Sequence, residues 1–335
     1  MDVAQQRLRT QRLAGPRFTT PADVVAWFGA VQAQDYAGAL WALGLRTKGA
    51  TEALVEQALT DRSLVRTWPL RGTLHFAAAA DVRWMVRVFG PQTIARHARR
   101  FKQFELDERI FARCTAATIK ALEGGRQLSR PRLYALLEKA GVRTGGTRGL
   151  HIVWRLAHDG LICFGAREGK QRTFVLLEEW VPRAKMLDRD EALAELARRY
   201  FTSHGPPTRK DFAWWSGVSA GDARRAIEMA QVDVEKKPAR AVNVRSPHVV
   251  LLPPYDEYTV AYQDRSAALD PKHTAAARNG IFSPTIVIDG RIAGTWSRQL
   301  TRHGVTVALQ PFAPLTGERG RAVDAAVARY ARFLR

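Results

Sequence analysis

The chain has 335 residues, 46% apolar and 25% charged, enough for a sizeable core in two or more domains and a composition that excludes wholesale disorder. Its 52 Lys and Arg against 32 Asp and Glu leave a net charge of +20. Such a surplus attracts polyanions, chiefly nucleic acid or anionic membrane, although an arginine-rich composition alone yields the same figure. The two cysteines, Cys114 and Cys163, are too few and too far apart for a disulfide framework or a thiolate metal site, and read as buried free thiols.

From the N-terminus, "MDVAQQRLRTQRL" lacks the apolar core of a secretion signal, and no later run approaches the roughly 18 apolar residues of a membrane span. A soluble, cytoplasmic protein is expected. "TTPADVVAWFGAVQA" carries an N-cap at Thr20, Pro21 at the first helical position and Asp23 completing a capping box. Val24, Trp27, Phe28 and Val31 share one helical stripe. "ALWALGLR" reads as a short strand or extended segment, and "TEALVEQALTD" as a helix. "SLVRTWPLRGTLHFAA" (63–78) reads as two strands about a Pro-Leu-Arg-Gly turn, and "AADVRWMVRVFG" returns to helix. Helices followed by a hairpin are the ingredients of a winged helix.

The pattern recurs. "LDERIFARCTAATIKALEGG", "LSRPRLYALLEKAG" and "TRGLHIVWRLAHDG" are three helices, each closed by glycine. "LICFGAREGKQRTFVLL" then supplies a two-stranded wing around Arg167-Glu168-Gly169-Lys170. A third unit follows: "RDEALAELARRYFTSHG", then a helix, a Gly217 turn and a helix in "PPTRKDFAWWSGVSAGDARRAIEMAQ", with "VDVEKKPARAVNV" as a possible wing. From residue 246 the chain is β-rich, with Asp289-Gly290 as a hairpin signal, and it closes on an amphipathic basic helix. The expected architecture is α+β: winged-helix units at 1–105, 106–187 and 188–245, packed with a C-terminal antiparallel β domain at 246–335.

Nothing matches a P-loop, a Rossmann fingerprint or a zincin helix. "GVSAG" (217–221) fits G-x-S-x-G only superficially, because it falls between helices where a nucleophile elbow needs a preceding strand. His75, His97, His151, His158 and His273 have no ligand spacing, so no metal and no cofactor is expected. Asp256 and Glu257 in "PYDEY" would diverge if that segment were a strand, and a structural Asp is the default there. That leaves Gln32 and Gln34. On a helix, residues two apart diverge by about 200°; on extended chain they share a face. Both amides can serve one site only if the helix ends or distorts near Val31–Gln34. On its own, the pair reads as two exposed polar residues at a frayed helix end, because Gln-x-Gln is common by chance.

The wider sequence gives the pair a context. "AVQAQDYAGALWALGLR", "LVRTWPLRGTLHF", "GLICFGAREGKQRTFVLL", "LLPPYDEYTVAYQDRS" and "FSPTIVIDGRIAGTWSR" resemble, in this order, the AlkZ-type bacterial DNA glycosylases, tandem winged-helix proteins with a C-terminal β domain. The family's Gln-aliphatic-Gln catalytic signature falls on Gln32, Ala33 and Gln34; a sister branch, AlkX-like, has Asp at the third place, and here an acid comes only at the next position, Asp35. The resemblance implies removal of N7-alkylated purines, including bulky guanine adducts and interstrand crosslinks, from double-stranded DNA. Arg66, Trp68, Arg71, His75, Arg167, Lys170, Arg172, Trp296 and Arg298 are the candidate DNA contacts, with Asp35 a possible accessory. Core packing is the stronger expectation for Trp68 and Trp296. A monomer without metal is expected. The rival reading is a non-catalytic winged-helix DNA-binding protein or transcriptional regulator.

Overall fold

The computed structural model describes residues 2–169, 171–233, 244, 246–301 and 304–335. It is an α+β chain in two units, one made of residues 57–192 and the other of residues 1–56 with 193–335.

In the unit spanning 57–192, Leu64–Leu70 pairs antiparallel with Thr73–Ala78, with a register shift between Thr67 and Leu70. Pro69 has no N–H for a ladder, so the break falls where it costs least. The reversal rests on Arg71 and Gly72 alone, at φ 54° and 71°. Two successive left-handed residues make the two-residue hairpin turn whose twist matches the strands. Pro69 and Leu70, expected in the turn, therefore stay in the strand. Arg66 pairs with Phe164, and Ile162–Phe164 pairs with Thr173–Leu176, which pairs with Leu128–Ser129. The two expected hairpins thus share one antiparallel sheet.

Three helices, Glu108–Leu122, Arg130–Lys139 and Arg148–His158, precede the second hairpin in winged-helix order. Asp107 caps the first, its Oδ1 accepting from Ile110 N at 2.8 Å. Their apolar faces close on Phe111, Cys114, Leu133, Leu137, Ile152, Leu156 and Phe174. Cys114 and Cys163 are buried free thiols, and burial pushes both up, Cys114 to about 11. The preceding helix, Val82–Arg96, crosses Arg148–His158 at Gly90, where an added Cβ would lie 2.3 Å from the His158 carbonyl oxygen.

In the other unit the capping box forms as expected: Thr20 Oγ1 accepts from Asp23 N at 3.1 Å and Asp23 Oδ2 accepts from Thr20 N at 3.3 Å. The helix runs Pro21–Phe28 and stops there, so Val31 is not part of its stripe. "ALWALGLR" is helical, within Tyr36–Arg46, and not the expected strand. Gly38 to Arg46 are all buried, so the segment is apolar on every face and shows no helical period. Trp41 Nε1 donates to Leu251 O at 2.7 Å and Trp296 Nε1 to Leu252 O at 2.8 Å. The Tyr330 ring sits 5.0 Å from each indole.

Those contacts seat the helix Gly317–Phe333 against a four-stranded antiparallel sheet of Val249–Leu252, Thr285–Ile288, Arg291–Thr301 and Gly304–Pro311, paired in that order. Asp289 and Gly290, at φ 52° and 88°, make the expected tight turn. Helices Arg209–Ser216 and Ala220–Met229 flank a left-handed Gly217, and Ser219 caps the second, its Oγ accepting from Asp222 N at 3.0 Å. "GVSAG" is thus a helix-to-helix turn. The possible wing at 232–244 falls almost wholly outside the described residues. Among the described residues no helix is long and apolar enough to cross a membrane.

Candidate active site

The helix that leads to the two glutamines is stopped by Gly29, at φ 88°, a backbone state that costs glycine little. Ala30–Gln32 follow as extended chain, and the next helix starts at Tyr36 with Asp35 at its N-cap position. The condition that the pair not lie on an intact helix is met by this stop. Gln32 is 7% exposed, whereas Gln34 is exposed. Asp35 packs on the first turn of its helix, and an added Cβ at Gly38 would lie 2.5 Å from Asp35 Oδ2. A carboxylate in that position also faces the positive end of the helix dipole.

Gln32 is held from behind by a residue that the sequence reading left without a role. Its backbone N–H donates to Glu257 Oε1 at 2.9 Å. Glu257 Oε2 accepts from Trp215 Nε1 at 2.8 Å and lies 3.5 Å from His204 Nε2. Gln11 Nε2 donates to Glu257 O at 3.2 Å and to the Tyr262 hydroxyl at 3.1 Å. Glu257, Trp215, His204, Gln11 and Tyr262 are all buried. His204 is pushed below the ordinary imidazole value by burial, against the pull of Glu257.

"PYDEY" is not the strand that would splay its acids. Asp256 is the N-cap of a one-turn helix, Glu257–Val260, its Oδ1 accepting from Tyr258 N at 2.9 Å. Asp256 does the structural work expected of it. Arg46 grips it through both oxygens at 2.7 and 2.8 Å, with side chains 1% and 0% exposed, and also donates to Gln11 O. Asp256 thus anchors the turn and Glu257, one residue on, reaches Gln32. The legible signal was a pair of acids inside an otherwise apolar, aromatic stretch.

The candidate DNA contacts divide between the two units. Trp296 is buried at 4% exposure and committed to the core, and Arg298 is half-buried, donating to the Tyr330 hydroxyl. In the other unit, Arg66 is buried over the Phe164 ring, and half-buried Trp68 packs on the same ring at 5.3 Å. His75 is buried, with Nδ1 donating to Thr73 O at 2.8 Å, which leaves Nε2 as an acceptor facing Arg71 at 3.5 Å. Of this set Arg167 and Arg172 are exposed, Arg71 is half-buried, and Lys170 lies outside the described residues. Among the described residues no group of His, Cys, Asp or Glu is arranged to hold a metal ion.

A family model described as DNA glycosylase AlkZ-like matches residues 25–333. The chain belongs to the AlkZ-like DNA glycosylase family. A curated relative, the interstrand DNA cross-link repair glycosylase of Streptomyces sahachiroi, is 24% identical over 324 residues, covering 87% of this chain and 85% of that one. The solved structure of Streptomyces sahachiroi DNA glycosylase AlkZ has the same fold, with a TM-score of 0.77 at 24% identity over 99% of this chain and 95% of that one. Family membership makes the protein a DNA repair enzyme that hydrolyses N-glycosyl bonds, and it removes the non-catalytic regulator as an alternative.

Proposed function

We propose that this AlkZ-like glycosylase releases N7-alkylguanine from duplex DNA, bulky adducts and interstrand crosslinks included, through Gln32 and Gln34. The observation that carries the reading is the fixing of the Gln32 backbone by a buried carboxylate, directly after a helix stop. The curated relative, by its name, repairs interstrand crosslinks, and that likeness is the support for the larger substrates.

The chemistry suits uncharged amides. An N7-alkylguanine is cationic, so its glycosidic bond is already weakened and the leaving base needs no strong acid. Glutamine lacks a titratable group and cannot serve as an ordinary general base. It can orient a water toward C1′ and turn its oxygen dipole to the sugar as positive charge develops there. The role assigned to Glu257 is positioning: it fixes where the Gln32 backbone sits, at a distance from the reacting atoms. The basic surplus would supply most of the DNA affinity through phosphate contacts, with the exposed Arg167 and Arg172 of the 106–187 winged unit as leading contributors.

The test is base release from a methylated duplex, and unhooking of a crosslinked one, each compared with undamaged DNA. Free 7-methylguanine with an intact abasic strand is expected, since no lysine is assigned to strand cleavage. Absence of release from every N7-alkylated duplex by folded protein would reject the substrate class.

A further inference from the structure

Tyr255 holds a backbone state that aromatic residues rarely take. Its φ is 60°, in the left-handed region, where such a residue is strained and persists only if its surroundings over-determine it. Those surroundings are the ones that build the glutamine site. On one side, Pro253 Cβ lies 3.1 Å from the point where a Gly38 Cβ would stand, and Asp35 Oδ2 lies 2.5 Å from that same point. On the other, Arg46 grips Asp256 and Glu257 holds the Gln32 backbone. Tyr255 is two residues from both Pro253 and Glu257, so its Cα lies within about 8 Å of theirs. It therefore stands at the end of helix Tyr36–Arg46 that carries Gln34 and Asp35.

Its side chain is not committed as those of the neighbouring tyrosines are. Tyr200, Tyr258, Tyr262 and Tyr330 are fully buried, and each hydroxyl is hydrogen-bonded to the protein. Tyr255 is half-buried, and among the described residues its hydroxyl has no hydrogen-bond partner. The Phe282 ring meets it edge to face, with centroids 5.8 Å apart and planes at 90°. Phe282 is 47% exposed, yet the backbone around it is fixed: Tyr255 N donates to Ile281 O at 2.8 Å, and Trp296 N to Pro284 O at 3.1 Å. A rigid frame thus holds two rings partly in solvent. At the same helix end, Asp35 occupies the N-cap position without its carboxylate capping the helix.

Aromatic faces attract cations, and a carboxylate nearby adds to that attraction. An N7-alkylguanine ring is flat and cationic, whereas ordinary guanine is flat and neutral. We infer that Tyr255 and Phe282 form a stacking surface for the cationic base beside Gln34, and that this surface favours the alkylated base over the ordinary one. The inference rests on the substrate reading above, N7-alkylguanine in duplex DNA, and adds to it a means of discrimination.

The test is single-turnover base release from a 7-methylguanine duplex at rising protein concentration, which yields a half-saturating concentration and a maximal rate. Binding to the undamaged duplex is measured alongside. Tyr255→Leu is expected to raise the half-saturating concentration about tenfold, and Phe282→Leu about threefold. Tyr255→Phe keeps the ring and should stay within about twofold of wild type. Binding to the undamaged duplex should be unchanged in all three, since phosphate contacts supply it. Phe282 is exposed, so its variant decides the matter if Tyr255→Leu does not fold. Absence of base release by wild type rejects the substrate reading and the inference with it. Release by wild type, with wild-type saturation in Phe282→Leu and in any folded Tyr255→Leu, overturns the stacking surface alone. So does an equal loss of undamaged-duplex binding in those variants, which marks a general DNA contact or a distorted fold.

Discussion

Glu257 presents its two oxygens to two different N–H donors, the Gln32 backbone and the Trp215 indole. Glutamine at 257 offers one oxygen and one NH2, so whichever way it turns, a donor meets a donor. Glu257→Gln is therefore expected to cost about 1–3 kcal/mol of stability, the penalty of one unsatisfied buried group. It should also lower kcat for base release by tenfold or more, with KM little changed, since the amide is displaced and DNA contacts are not. Full kcat in a folded Glu257→Gln would show that the clamp has no part in catalysis. Gln32 was legible in the sequence only through the company of the other motifs. The adjacent acids of "PYDEY" were visible, but the part Glu257 plays was not legible, because a strand reading separates it from Asp256. The fold instead makes Asp256 the cap of a one-turn helix anchored by Arg46, which no periodicity announces over four residues.

At the scale of elements, two glycines set geometry that other residues cannot. Gly29→Ala would hold alanine at φ 88° with its Cβ 3.3 Å from Leu196 Cδ1. A loss of about 1–2 kcal/mol is expected, with reduced activity because the helix stop precedes Gln32 by three residues. Gly90→Ala meets a backbone carbonyl at 2.3 Å, which cannot swing away. Separating the two helices should cost about 1–3 kcal/mol, read as a lower denaturant midpoint at unchanged m-value. The capping box at Thr20, the helix order of 108–158 and the Asp289-Gly290 turn were legible because each rests on local chemistry. The sheet shared by two hairpins was not, since the pairing of Arg66 with Phe164 joins residues with no common local signal. The helix Tyr36–Arg46 was misread because burial on all faces erases amphipathic period.

For the whole molecule, pH and salt are the accessible handles. Burial holds His158 well below the ordinary imidazole value, at about 4, and His151, His204 and His248 are lowered for the same reason. The unfolded chain takes up these protons more readily than the folded one. Stability is therefore complete above about pH 6.5 and lost as pH falls from there toward 4, with His158 alone contributing up to roughly 3 kcal/mol. Urea midpoints at pH 7.5 and pH 5 check this; an unchanged midpoint would contradict the lowering of these buried rings. A net charge of +20 predicts steeply salt-dependent duplex binding. Arg167→Gln and Arg172→Gln should each lower the salt slope by about 1 if they contact phosphate, and leave it unchanged if they do not.

The most direct measurement is single-turnover release of 7-methylguanine by wild type, Gln32→Ala, Gln34→Ala and the double variant, each verified as folded. Each single substitution is expected to slow release by about a hundredfold, the loss associated with misplacing a bound reactant or its water. The double variant should fall by less than the product of the two, because both amides act on one transition state. Wild-type rates in both folded single variants would contradict the assignment of the site.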